Sequence, residues 1–223
     1  MLGLRSRPVN IRSRGLLAGA SAGVSLAIAV LAQAAPYAHV ANADGGGPAS
    51  VSISGKTLVV TAGLGNKDNL AIARPLPGTL RVTNLASGPY TGSTLLAGAG
   101  CTLTDSQTAK CNASGVNLIR VSAGDEADKV VNSTGIRSSL FGEKGTDTLL
   151  GGSNMDTLTG GPDPDTMKGL NGNDQLLARD LTSDTTINCD GGSAPGSADK
   201  ADLDTLPNDP NSRVHGCETK ARH

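Results

Sequence analysis

The chain of 223 residues contains no tryptophan, one phenylalanine (Phe141) and two tyrosines. Aromatic rings normally supply much of the buried area of a wide globular core. Their scarcity excludes such a core and leaves a narrow one of Leu, Val, Ile and Ala, as between closely stacked strands. Helical periodicity is missing too: beyond residue 43 no stretch repeats its apolar positions at helical spacing over three turns. Catalytic signatures are also lacking. Beyond residue 43 there is no G-x-S-x-G, H-E-x-x-H or G-x-x-x-x-G-K-[ST]. "SADK" at 197–200 has S-x-x-K spacing without its companion motifs, and His215 and His223 read as surface residues. No catalytic residue is assigned, and the chain is expected not to be an enzyme.

No acidic residue precedes Asp44. Arg5, Arg7, Arg12 and Arg14 form a basic start, an uncharged Ala/Gly/Leu-rich run follows over 15–35, and Ala41 and Ala43 sit at A-x-A spacing. That pattern predicts a signal peptide over 1–43, cleaved after Ala43, and a secreted, extracellular protein that does not insert in the membrane once cleaved. A retained transmembrane anchor is the alternative; the small-residue richness and the cleavage pattern favour removal. The arginines are not adjacent, so twin-arginine export has little support.

Net charge is −1, but it is unevenly spread: residues 122–210 hold 16 of the 20 acidic residues against six Lys and Arg. Such a surface repels phosphates, so nucleic acid and anionic membrane are excluded as partners. Cations are the natural partner. A merely solubilising acidic face leaves the spacing of these acids unexplained.

Cys101, Cys111, Cys189 and Cys217 in an exported chain point to two disulfides. Sequential pairing, Cys101–Cys111 and Cys189–Cys217, is preferred among three connectivities because a long repeat block separates the pairs. Zinc is the alternative, but no C-x-x-C occurs.

What the sequence has in abundance is glycine, 30 residues, together with a nine-residue rhythm. Gly142, Gly151, Gly160 and Gly169 recur at that interval, and so do Asp147, Asp156, Asp165 and Asp174. Two residues past each Asp lies an apolar side chain: Leu149, Leu158, Met167 and Leu176. A short fixed period implies a solenoid whose repeats contact only their neighbours. Six residues make a turn and three make a short strand. Two nonapeptides complete a coil, so residues eighteen apart stack at about 4.8 Å. Asp147 then lies over Asp165 on one edge, and Asp156 over Asp174 on the other. Bare carboxylates at that distance repel by about 3 kcal/mol at an effective dielectric of about 20. A calcium ion reverses the sign, because it accepts six to eight oxygens in flexible geometry; magnesium demands a tighter octahedron. Asp is also a common turn residue, so a calcium-independent solenoid used as a surface or adhesion scaffold is the alternative. A secreted hydrolase with an unfamiliar site in 51–121 is a more remote one.

The template G-G-x-G-x-D-x-U-x resembles the hemolysin-type, RTX calcium-binding nonapeptide family. The paired-cysteine segment "GAGCTLTDSQTAKCNASGVNLIRVSAGDEAD" and the ending "HGCE" are similar to small secreted bacterial members. The resemblance implies an all-β, parallel β-roll or β-solenoid that binds Ca2+ in its turns. Metal-site candidates are Asp147, Asp156, Asp165 and Asp174 with Gly142, Gly145, Gly151, Gly160, Gly169 and Gly172. The fourth template position is Gly145 or Gly172 but also Asn154 and Asp163, and the second is Glu143 in the first repeat and Leu170 in the fourth. Asp163 precedes Pro164, which restricts its backbone; the "GPDPD" turn is therefore expected to coordinate most weakly. "GLGNKDNLA" and "AGDEADKVV" are isolated matches, with Asp68 and Asp128 at the Asp position. Asp128 and Asp147 are out of phase, so an irregularity is expected near "NSTGIRSS". Short β-branched runs separated by Gly, Pro, Asn and Ser predict strands over 51–121. The chain thus reads as a signal peptide (1–43), an irregular N-terminal β region with a short disulfide loop (44–121), a repeat roll (122–180) and a disulfide-closed cap (181–223).

Overall fold

The computed structural model describes residues 46–189, 198–205, 208–210 and 213–222. The basic leader and the expected cleavage position at Ala43 lie outside the described residues. Among the described residues there is no α-helix; eighteen strands form two nine-stranded sheets.

β1 (Ala49–Ser54) and β2 (Thr57–Thr61) pair antiparallel across a tight turn in which Gly55 takes φ +58°. β3 (Asn69–Leu76) lies in the other sheet, and β4 (Thr79–Asn84) folds back antiparallel on it. β5 (Leu95–Ala97) joins β1, while β6 (Cys101–Asp105) and β7 (Thr108–Asn112) form a hairpin beside β4. β8 (Leu118–Ser122) then lies parallel to β2, and β9 (Lys129–Ser133) parallel to β3. From here the chain alternates between sheets. β10 (Ser138–Phe141), β12 (Asp156–Thr159), β14 (Gln175–Ala178), β16 (Lys200–Leu203) and β18 (Thr219–Arg222) extend the first sheet. β11 (Thr148–Leu150), β13 (Thr166–Lys168), β15 (Thr186–Asn188) and β17 (Val214–His215) extend the second. Every pairing in this alternating part is parallel. The described residues are therefore all-β, a parallel roll from β8 onward preceded by a largely antiparallel region.

The core sits between the sheets and is about one side chain deep on each face. In the first sheet Val60, Val121, Leu140, Leu158, Leu176 and Ala201 fall in one column of paired positions. In the second, Leu70, Val130, Leu149, Met167, Ile187 and Val214 do the same. All are buried. Each short strand alternates, with its middle apolar residue inward, because successive side chains of a strand point to opposite faces. Two such columns fill the space without rings. Phe141, the sole phenylalanine, lies half-buried on strand β10, with the Arg120 guanidinium 4.4 Å from its ring centre.

The irregularity between Asp128 and Asp147 lies in the loop after β9. The Asn132 amide donates to the Ile136 carbonyl (3.0 Å) and its oxygen accepts the Thr134 N–H (3.0 Å), closing a turn that absorbs the extra residue. The four cysteines form two disulfides, Cys101–Cys111 across the β6–β7 hairpin and Cys189–Cys217 between the ends of β15 and β17. No cysteine is free, so none is available to bind zinc.

Candidate metal centre

The residue two before each strand's buried apolar one lies at an edge of the roll where the chain passes between sheets. On the edge leading into the second sheet these residues are Asp68, Asp128, Asp147 and Asp165, and the row continues with Asp184, three residues before Ile187, and Asp209. Each backbone N–H donates to the next carboxylate. Asp68 donates to Asp128 Oδ1 (2.6 Å), Asp128 to Asp147 (2.7 Å) and Asp147 to Asp165 (2.7 Å). The chain goes on from Asp165 to Asp184 (2.8 Å) and from Asp184 to Asp209 (3.2 Å). All six are at most 1% exposed.

Along the opposite edge the same column begins with Leu58 and Ile119, continues with Ser138, and turns acidic only at Asp156. Ser138 N–H donates to Asp156 Oδ1 (2.6 Å), Asp156 to Asp174 (2.8 Å), Asp174 to Asp199 (2.6 Å) and Asp199 to the Glu218 carboxylate (2.7 Å). The expected stacking of Asp147 on Asp165, and of Asp156 on Asp174, is the geometry of the structure.

The free oxygens separate the two edges. On the first, the Oδ2 atoms of Asp128, Asp147, Asp165 and Asp184 are buried with no hydrogen-bond partner. Asp68 differs: Gly63 N–H reaches its Oδ2 (2.8 Å), while the Asn84 amide (2.7 Å) and Ser93 N–H (2.9 Å) reach its Oδ1. On the second edge, among the described residues, only Asp174 Oδ2 is unpartnered in this way. Asp156 is fully engaged, by Ser138 N–H and hydroxyl (2.7 Å) on Oδ1 and by Gly152 N–H (2.5 Å) on Oδ2.

Burial pushes these carboxyls up, and the backbone N–H each accepts only partly offsets it. Asp128 rises to about 9, with the neighbouring Asp147 and Asp68 charges adding to the shift. Asp165 rises to about 8, and Asp147, Asp174 and Asp184 to about 7. Asp156 is also raised by burial, against the hydrogen bonds from Gly152 and Ser138. A buried carboxylate oxygen without a donor is costly. A hard cation is the partner that removes the cost without a proton.

The glycines that open each repeat make room for this arrangement. A side chain at Gly142 would collide with Asp147 Oδ2 and the Gly160 carbonyl; at Gly151 it would meet Asp156 Oδ2 and the Gly169 carbonyl. Gly160 faces Asp165 Oδ2, and Gly169 faces Asp174 Oδ2 and the Cys189 carbonyl. Carboxylate and carbonyl oxygens thus converge where these glycines lack a Cβ, and such an all-oxygen set fits calcium. Positive φ belongs to other positions: Gly145 (+116°), Gly161 (+116°) and Gly172 (+150°), but also Glu143 (+73°), Leu170 (+73°) and Asp163 (+90°). Asp163 adopts it despite Pro164, and its carboxylate accepts Gly145 N–H (3.2 Å). Sequence reasoning missed Asp184, Asp199 and Asp209; Asp199 alone carried a signal, the Asp-Lys-Ala run that repeats the Asp-x-apolar order.

Residues 138–158 and 150–180 match the family model of the RTX calcium-binding nonapeptide repeat. No curated protein and no solved structure matches the chain. Four phased repeats, coiled as a parallel roll with their aspartates stacked on its two edges, place the repeat block of this chain in the RTX calcium-binding nonapeptide repeat family.

Proposed function

We propose that this is an exported calcium-binding protein whose roll takes up Ca2+ at its edges and gains stability by doing so. The observation that carries the reading is the row of buried, unpartnered carboxylate oxygens of Asp128, Asp147, Asp165 and Asp184. Asp147 and Asp165 hold the ion in the first edge and Asp174 in the second. The carbonyls of Gly160 and Cys189 complete oxygen shells that Gly142 and Gly169 leave open. Gly145 and Gly172 serve the backbone path of the turns, and Gly151 leaves room beside Asp156. Asp156 is the weakest ligand of the four repeat aspartates, because its oxygens already have donors. Bound calcium supplies positive charge and nothing redox-active. The chain's own part is to hold the oxygens in register and exclude water from them.

The signal-like leader supports export, as do two disulfides, which persist in oxidising compartments. The role is non-catalytic, and any extracellular or cell-surface partner meets the roll as a scaffold. Binding to the folded state alone contributes about 2.7 kcal/mol per independent site at 100 times Kd. Thermal unfolding of the chain in calcium, in magnesium and in chelator tests this. Calcium should raise the midpoint by several degrees and magnesium far less. Equal midpoints in all three would leave the calcium-independent scaffold as the reading.

A further inference from the structure

The matched repeats end at residue 180, yet the first edge does not. The chain leaves β14, makes a loop over 179–184 and enters β15 with Asp184 in the aspartate column. That loop brings a third carboxylate to the edge. Asp165, Asp180 and Asp184 each offer an oxygen, and these atoms lie within 4.8 Å of one another. Calcium holds its oxygens at about 2.3–2.6 Å, so ligands on opposite sides of one ion are about 5 Å apart, and this trio fits around a single ion.

The cluster has an independent mark of incompleteness. Asp165 and Asp184 are at most 1% exposed, and each has an Oδ2 without a donor. Asp180 is half-buried, and its Oδ1 accepts both the N–H (2.7 Å) and hydroxyl (2.6 Å) of Thr182. The loop is pinned from outside: Leu181 N–H donates to Asp204 Oδ2 (2.6 Å) and the Asn208 amide donates to the Leu181 carbonyl (3.1 Å). Arg213 lies alongside, but its Nη1 donates to Ser183 Oγ (2.7 Å) and the Asp184 carbonyl (2.9 Å).

We propose that Asp165, Asp180 and Asp184 form a three-carboxylate calcium site at the C-terminal end of the first edge, the tightest in the protein. It rests on the calcium reading above and extends it to residues outside the nonapeptide pattern. All ligands are carboxylate oxygens, which select a hard cation over zinc. Three charges converge here, against the two of Asp147 and Asp165 within the repeats, and ligand charge count raises affinity. The ion also joins Asp165, inside the repeats, to Asp180 and Asp184 beyond them, so it fastens the following strands to the roll.

The test counts calcium ions per oxidised chain by equilibrium dialysis, comparing wild type with Asp180→Asn. Asparagine keeps the acceptor for Thr182 and removes the charge. The expected result is one ion fewer and loss of the tightest binding step by at least tenfold, with the far-ultraviolet spectrum unchanged. Unchanged stoichiometry and affinity would overturn this site while leaving the repeat sites standing. No calcium on the wild type would overturn both. Should the variant unfold, terbium-soaked crystals of the unmutated chain decide. An anomalous peak among the three carboxylates supports the site, and peaks elsewhere with none there refute it.

Discussion

The two edges of the roll have the same repeat sequence and different chemistry. The edge through Asp147 and Asp165 is carboxylate from Asp68 to Asp209, with four buried oxygens lacking donors. The edge through Asp156 and Asp174 starts as Leu58, Ile119 and Ser138, and Ser138 and Gly152 saturate its first aspartate. A repeat motif therefore specifies where a carboxylate goes, while the neighbouring coil decides whether it still needs a cation. The difference predicts unequal calcium binding by residues that look equivalent in the repeat.

The largest contrast should come from neutralising one aspartate on each edge. Asp165→Asn keeps the acceptor for Asp147 N–H and removes the charge. Its calcium affinity, measured by titration calorimetry, should fall by at least tenfold, about 1.4 kcal/mol. In chelator the same variant should be at least as stable as wild type, because it also removes a repulsion. Asp156→Asn should change calcium affinity less than threefold. Equal losses from the two would erase the distinction between edges.

The ion-free protein should respond to pH in the direction opposite to ordinary acid unfolding. The carboxyls of Asp128, Asp147, Asp165 and Asp184 are raised by burial to about 7–9, above the unfolded value of about 4. The folded chain then binds more protons than the unfolded one between those limits. Stability present at about pH 4 is lost as pH rises through about 7–9. Thermal midpoints in chelator should fall across that window. Saturating calcium should abolish or reverse the fall, since the ion binds the ionised form. A pH-independent midpoint without calcium would mean the edge carboxylates are not desolvated.

A smaller effect should follow from the exposed turn of the first repeat. Glu143 holds φ +73°, a left-handed conformation that costs a non-glycine residue about 1–2 kcal/mol. Its charge also adds to the upward shift of Asp147. Glu143→Gly should raise the midpoint in chelator by a few degrees; a decrease would show that the side chain has an unrecognised contact.

The middle of this architecture was readable from sequence because its period is strict. Gly142 to Leu176 give the phase, the two stacked pairs and the inward column of Leu149, Leu158, Met167 and Leu176. Asp68 and Asp128 were visible only as isolated matches, because the hairpins β4 to β7 put sixty residues between stacked neighbours. Asp184 and Asp199 were lost because their partners lie nineteen and twenty-five residues back, across loops that break the period. The saturation of Asp156 was unreadable for another reason. It depends on a hydroxyl eighteen residues upstream at Ser138, a position whose counterpart on the other edge is an aspartate.

The most direct measurement is carbon-13 NMR of the aspartate side-chain carboxyls during a calcium titration. The difference between the edges predicts that the signals of Asp147, Asp165 and Asp184 move first and furthest, that Asp174 follows, and that Asp156 and Asp68 barely change. Uniform shifts on both edges, or shifts led by Asp156, would contradict it.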